Sequence, residues 1–560
     1  MKTRLLTIMF AAACGLGLLT GAPEQAEAFC GFYVAGADAA LYNDATMVVL
    51  MRDGKRTVLA MQNNYQGPPE DFAMVVPVPV VLGEDDVKTL PKEVFDRVDK
   101  LAAPRLVEYW EQDPCDPWVD KKYRARRSGV PGGVKPKPES PSSHGVKIEA
   151  EFTVAEYQIV ILSASDSTGL DGWLRDNGYK IPAGAEPLLR PYVQDGMKFF
   201  VAKVDVEKVK FERRPDGSQA ATLSPLRFHY DSEQFNLPIR LGLINAPDAD
   251  GTSGAQDLLV HVLARGQRYQ AANYPNVTIP TNLEVKDGVR DHFGEFYVSL
   301  FDHTLAQQPR AVVTEYAWAA GSCDPCPEPA LTLSELVTLG ADVLPSYAGN
   351  LDGQASDSGL EWSVPGEFVL TRLHARYDQS SLGEDLVFEE APGIAGGREF
   401  LQQGGELERG SQPHPQNQFQ ARYIIRHPWT GSVDCENPTR GIWGGPPKDR
   451  ENKPAPTVAR QLATAPRGGE LASFVTAESQ ALLGVTASAE PPTDSTPPTE
   501  TEPATETEPP PATKPADASP KPPEAETTKG CKCSLEPEPS DLGPGLLVLF
   551  ALLGVRRKRA

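Results

Sequence analysis

From about Ala489 to Lys529 the chain runs EPPTDSTPPTETEPATETEPPPATKPADASPKPPEAETTK without one aromatic or branched aliphatic residue. Such a tract cannot bury enough apolar surface to offset the entropy of ordering it. Any core must therefore lie before it, and the tract itself is predicted to be a disordered Pro/Thr/Glu-rich stalk over 489–529. Its prolines favour extended polyproline geometry, so it would reach on the order of 100 Å. Its Thr and Ser residues suit sugar attachment, as in mucin-like stalks.

What flanks the stalk gives it a purpose. The chain opens MKTRLLTIMFAAACGLGLLTGAPEQAEA, with Lys2 and Arg4 at the start, an apolar run from Leu5 to Leu19, and Ala26-Glu27-Ala28 as a small-x-small site. This predicts a signal peptide over 1–28, cut between Ala28 and Phe29 by signal peptidase. Beyond the stalk, 530–560 holds Cys531 and Cys533, fourteen mostly apolar residues from Leu542 to Val555, and Arg556, Arg557, Lys558 and Arg559. As a helix, fourteen residues span roughly 21 Å against a hydrocarbon core of roughly 30 Å. The segment is short for a permanent span, and the basic cluster would stay cytoplasmic. A short apolar segment with a basic stop suits a sorting device held in the inner membrane until a protease acts; an ordinary anchor helix is the alternative.

Gly530-Cys531-x-Cys533, the apolar segment and the terminal Arg cluster resemble the MYXO-CTERM sorting tail of myxobacteria and their relatives. The resemblance implies cleavage by a C-terminal sorting protease and retention of the cysteine region, with Cys531 and Cys533 as processing or lipid-attachment candidates. The protein is then expected to be exported to the cell surface or outer envelope, with its tail transiently or permanently in the inner membrane.

The net charge of −22 excludes nucleic acid as a natural partner, because phosphate binding needs a basic surface. The exception is the basic, Gly- and Pro-rich 121–147, predicted as a mobile surface loop, or alternatively as a dock for acidic envelope polymers. Export makes disulfides the default reading of the cysteines. Cys14 leaves with the signal, and the body keeps Cys30, Cys115, Cys323, Cys326 and Cys435, an odd number. Cys30 is expected to pair with Cys115, or either of them with Cys435.

Between Phe29 and Gly445 the pattern is strand-rich. TMVVLMRDGKRTVLAMQ sets two apolar runs around Asp53-Gly54, a hairpin signal. DFAMVVPVPV follows as a strand that Pro77 and Pro79 confine to an edge. Pro91 to Trp110 reads as helical, interrupted at Pro104. YQIVILS, KFFVAKVDV, LSPLRFHYDSE, LPIRLGLIN, DLLVHVLARGQRYQ, AVVTEYAWA, EFVLTRLHARYD and FQARYIIRHPW read as strands. Helices are predicted for DSTGLDGWLRDNGYKIP, opened near Ser167 or Thr168 and closed at Gly178, for GEFYVSLFDHTLAQQ and for TLSELVTLG. The expected class is α+β, with a mainly antiparallel sheet and several helices over 29–445, as one body or two subdomains, then a partly ordered connector over 446–488.

AFCGFYVAGADAALYNDATMVVLMRDGKRTVLAMQNNYQGPPEDFAMVVPVP, GLDGWLRDNGYKIP, SPLRFHY, LPIRLGLIN, NYPNVTIPTN and WAAGSCDPCP together resemble the bacterial domain of unknown function 2330. The resemblance implies an exported, envelope-associated body and carries no assigned reaction or site residues.

Chemistry is sparse. There is no GxSxG elbow, HExxH, Walker loop or GxGxxG run, and the eight histidines are scattered. No catalytic residue, metal ligand or cofactor is therefore assigned. The strongest chemical motif is Cys323-Asp324-Pro325-Cys326, read as a structural disulfide, with a thiol–disulfide oxidoreductase and a metal site as alternatives. Trp429, in Pro428-Trp429-Thr430-Gly431, and Trp443, in Gly441-Ile442-Trp443-Gly444-Gly445, lie in loop-like settings. They suit stacking on an envelope polysaccharide. The leading expectation is a stalk-displayed envelope protein with a structural or binding role.

Overall fold

The computed structural model describes residues 32–33, 46–62, 73–115, 148–177, 179, 185–213, 219–245, 256–347, 364–377, 382–398, 407–447, 454–459 and 467–486. The signal peptide with its Ala28–Phe29 site, Cys30, the 121–147 loop, the stalk, and the tail with Cys531 and Cys533 lie outside these residues. Among the described residues no helix is long and apolar enough to cross a membrane.

Strands dominate, helices intervene, and most pairings are antiparallel, so the fold is α+β. The strand Gln256–Arg265 sits at the centre of the largest sheet. It pairs antiparallel with Phe368–Tyr377 and parallel with Thr46–Asp53. Thr46–Asp53 turns at Gly54 into Arg56–Met61, which pairs with Leu226–Asp231. Gly54 takes φ +58°, the left-handed conformation that this tight turn needs and glycine adopts without penalty. On the other side, Phe368–Tyr377 pairs with Val312–Ala319, and that strand with Gln418–Gln420.

Alternation along these strands builds a core on each face. One face, with Val48, Leu50, Val260 and Val262, packs on Met74, Val76, Ile159, Ile161 and Phe200. Those residues belong to an antiparallel sheet of Phe32–Tyr33, Ala73–Val78, Lys198–Val204, Tyr157–Ser163 and Ile148–Val154. Pro77 lies opposite Phe199 in the ladder with Lys198–Val204. The other face, with Met47, Val49, Met51, Leu259 and Leu263, packs on the helices Glu93–Ala102 and Leu333–Leu339. The helix Phe293–Gln307 covers the adjoining region with Phe296, Tyr297, Leu300 and Phe301.

Two expectations require correction, and the closure of a third element falls outside the described residues. The helical reading of Pro91 to Trp110 holds only for Glu93–Ala102; beyond Pro104, Arg105–Glu111 is a strand paired parallel with Arg422–His427. Proline forces Ala103 into extended geometry (ψ 149°), and the ladder carries on from there. LPIRLGLIN is a 3-10 turn over Arg240–Asn245 rather than a strand. The Asp385 carboxylate accepts the Ile239 and Arg240 N–H groups at 2.9 and 3.2 Å, donors that a ladder would have used. The helix Ser167–Asp176 is capped by Asp166, whose Oδ1 accepts the Gly169 N–H at 2.6 Å, and it ends at Asn177. Gly178 lies outside the described residues.

Past Gly445 the chain keeps contributing to the fold. Thr457–Val458 pairs with Arg105 and Leu106, and Leu471, Val475 and Leu483 enter the core beneath Phe293–Gln307.

Candidate functional site

Two polar clusters are buried beneath these helices, and both are built by strand register. In the first, His261, Arg372, Tyr316 and Gln420 stand opposite one another on four neighbouring strands. The pairing of Val312–Ala319 slips between Thr314 and Tyr316, leaving Glu315 as the extra residue of a β-bulge. A bulge re-aims a side chain, and here it turns Glu315, fully buried, toward the Arg372 and His374 strand.

Glu315 accepts Arg372 Nε at 2.6 Å, the Tyr297 hydroxyl at 2.5 Å, and His374 Nδ1 at 2.6 Å. Arg372 Nη1 also donates to Asp99 Oδ1 at 2.5 Å. His374 Nε2 lies 3.3 Å from Asp257 Oδ1, a distance of ion pairing without hydrogen-bond alignment. Asp257 in turn accepts Arg376 at 2.8 Å and Arg467 at 2.9 Å, and Arg376 reaches Asp302. The carboxylates Asp99, Asp257, Asp302 and Glu315 thus meet Arg372, Arg376, Arg467 and His374.

Burial alone would raise the Glu315 carboxyl, but His374 and Arg372 outweigh it and hold it at about 2. Burial likewise opposes charge on His374, yet Glu315 and Asp257 prevail and raise its pKa, so the imidazolium supplies the fourth cation. Its ring stacks on Phe301 with centroids 3.8 Å apart. His261 is the opposite case: burial, then the Arg372 charge, pulls it to about 3. A His–carboxylate pair is an acid–base arrangement, but His374 and Glu315 are 2% and 0% exposed and no reactant reaches them. The cluster locks the sheet to the helices.

The second cluster lies behind the CDPC segment. Arg105 and Arg422 are fully buried and opposite each other in register. Arg105 donates to the carbonyls of Leu101 at 2.7 Å and Pro325 at 2.9 Å, and lies over the Tyr316 ring. Arg422 donates to Asn282 Oδ1 at 2.9 Å, the Tyr109 hydroxyl at 3.0 Å and the Arg398 carbonyl at 2.6 Å. Among the described residues neither guanidinium forms an ion pair, and burial lowers both pKa values. In front of them, Gln420 holds the Asp324 carbonyl and Arg105 the Pro325 carbonyl, so two of the three peptide groups between the cysteines are clamped.

Cys323 and Cys326 form a disulfide, with Cys323 half-buried against Tyr316 and its neighbours and Cys326 exposed. Cys115 bonds to Cys435 across a separation of 320 residues. Closing so long a loop restricts the unfolded chain by about 5 kcal/mol, whereas a ring of separation three adds only about 2 kcal/mol.

Beside the long bridge, Glu111 accepts Trp429 N–H at 2.9 Å, Gly441 N–H at 3.0 Å and Arg440 at 3.1 Å, fixing the loops that carry Trp429 and Trp443. Both tryptophans are half-buried. Trp443 lies under Arg426 at 5.1 Å, while Trp110 stacks on His427 at 4.6 Å from the opposite sheet face. The tryptophans do not form one platform.

The charge network escaped the sequence reading because its members are scattered. One signal was present: Arg372, His374 and Arg376 alternate on one face of an otherwise apolar strand. Among the described residues no group of three or more His, Cys, Asp or Glu could hold a metal ion.

Two crystal structures of a mutated baculovirus P35 after caspase cleavage are similar to parts of the chain. They are 12% and 11% identical, cover 40% of this chain and 68% and 66% of theirs, and both have a TM-score of 0.20, which carries no argument. No curated protein matches the sequence. A family described as an uncharacterized protein conserved in bacteria, the domain of unknown function 2330, matches residues 24–389. That span holds the central strands, Glu315, His374 and the CDPC ring, and the chain belongs to this bacterial family.

Proposed function

We propose that the protein is an exported cell-envelope protein whose folded body is displayed on the Pro/Thr/Glu-rich stalk and serves a structural or binding role. The observation that carries this reading is the Cys115–Cys435 bridge. A disulfide spanning 320 residues stabilises a body outside the reducing cytoplasm and has little use within it. The balanced, solvent-excluded network around Glu315 supports a scaffold rather than an acid–base enzyme.

In this reading signal peptidase cuts after Ala28. The tail, similar to a MYXO-CTERM signal, passes through the inner membrane and is cut by a sorting protease, leaving Cys531 and Cys533 for surface attachment. Envelope polysaccharide is the expected contact, at the loops that Glu111 holds.

The test is non-reducing peptide mass spectrometry on protein from fractionated native cells. The expected result is envelope protein beginning at Phe29, ending near Cys533 and carrying a Cys115–Cys435 cross-linked peptide. Cytosolic protein beginning at Met1, with Cys115 and Cys435 alkylatable, would overturn the reading. For the binding role, a glycan array should show saturable binding that Trp443→Ala loses; a blank array removes the polysaccharide.

A further inference from the structure

The two disulfides differ in what they explain. The long bridge accounts for itself by stability, but a ring between residues three apart adds less than half as much, about 2 kcal/mol. Yet this ring is the one in which two peptide groups are clamped and the outer sulfur faces solvent. Behind it lie two buried guanidiniums without ion-pair partners. The acidic residue next to the ring on its other flank, Glu328, is taken up by Arg97 at 2.8 Å and Lys100 at 2.5 Å. Of the carboxylates that act on Arg422, Asp324 is exposed to water and Glu408 is taken up by Arg398 at 2.5 Å. The surroundings therefore favour negative charge on the sulfurs, which is what an exchange-competent dithiol requires.

We propose that Cys323–Cys326 is a thiol–disulfide exchange site acting on dithiol segments of other polypeptides, with Cys326 the sulfur attacked and Cys323 the sulfur that leaves. This goes beyond the envelope reading and does not depend on the tail. A client thiolate attacks Cys326 Sγ, the Cys323–Cys326 bond breaks, and its electron pair leaves on Cys323 Sγ, which Arg105 and Arg422 stabilise as thiolate. The client's second thiolate then attacks its own sulfur in the mixed disulfide and releases Cys326. The client loses two electrons and two protons and closes its disulfide, and the CDPC pair gains them. A small disulfide such as oxidised glutathione restores the ring by the reverse exchange. Arg105 is a positioning residue: it holds the Pro325 carbonyl and lends charge without touching the client.

The experiment uses the purified full chain in graded reduced/oxidised glutathione, with each cysteine pair read by differential alkylation and mass spectrometry. The ring is expected to open at a glutathione ratio at least about tenfold less reducing than the one that opens Cys115–Cys435. Supplied with a synthetic two-cysteine peptide, the oxidised protein should close one peptide disulfide per ring opened. Cys326→Ser and Cys323→Ser should each abolish this, since neither can close the ring, and Cys323→Ser offered the oxidised peptide should take it up as a mixed disulfide on Cys326, with no Cys323 thiol to displace it. In the reduced protein, the pH midpoint for iodoacetamide alkylation of Cys323 should lie below the ordinary thiol value of about 8.5 and rise in Arg105→Met, with Arg105→Lys restoring it in part. Joint opening of the two bridges, an ordinary midpoint, or a peptide left as dithiol would each overturn the proposal. The wild-type comparison stands even if the Arg105 variants fail to fold. The cellular location of the protein, which tests the envelope reading, is read separately.

Discussion

Around Glu315 every buried cation meets a carboxylate, whereas a few strands away Arg105 and Arg422 are buried just as deeply against neutral oxygens. Both clusters sit under helices, and in each some buried atoms, such as His374 Nε2 and Arg105 Nε, have no hydrogen-bond partner among the described residues. They differ in net charge, and that difference separates a lock from a field. A balanced cluster pins strands to helices and projects little potential. An unbalanced one is held only because carbonyls and hydroxyls solvate it, and it leaves a positive field on whatever lies in front, here the CDPC ring.

The largest effect that sharpens this contrast is Glu315→Gln. It removes the carboxylate from Arg372 and His374 while leaving both buried, and should cost about 3–5 kcal/mol in urea unfolding. If it were cheaper than an Arg105 substitution, the contrast would break.

Next comes pH. Glu315, held at about 2 against an ordinary 4.5, contributes stability that is present above 4.5 and lost as pH falls toward 2, on the order of 3 kcal/mol. His261, held neutral down to about 3, adds to the same acid loss from 6.5 downward. His374 works in the other direction. Its raised pKa contributes stability that is complete below 6.5 and lost as pH rises through the folded value. The urea midpoint should therefore decline on both sides of neutrality, and His374→Gln should flatten the alkaline limb while also reducing the acid loss, because His374 helps hold Glu315 low.

Arg105→Met should cost less, about 1–3 kcal/mol, since it strands the Leu101, Ala103 and Pro325 carbonyls but removes an unpaired buried charge. Its unfolding midpoint should keep the pH dependence of the wild type, whereas Glu315→Gln loses much of the acid limb. Smallest is Phe301→Leu, which removes the ring stacked on His374; a loss of about 0.5–1.5 kcal/mol is expected, with the alkaline limb moved to lower pH.

Much of the body could be read from residue pattern alone. The turn at Gly54, the helix Phe293–Gln307 and the strands with alternating apolar residues follow from local preference and burial of one face. The failures have a shared cause. Arg105–Glu111 looked helical because a short apolar run fits either period, and the partner that makes it a strand, Arg422–His427, is remote in sequence. Arg240–Asn245 looked like a strand because Asp385, which takes its N–H groups, is equally remote.

The sequence by itself determined where a core can form, that the body is strand-rich, and which sulfurs are available, because composition and periodicity act locally. Only the tertiary structure decided that Cys115 meets Cys435, that a bulge turns Glu315 onto His374, and that Arg105 and Arg422 lie together behind the CDPC ring. Each of these depends on the register between strands distant in the chain. A shift of one residue would send every side chain to the opposite face, and no local pattern encodes that choice.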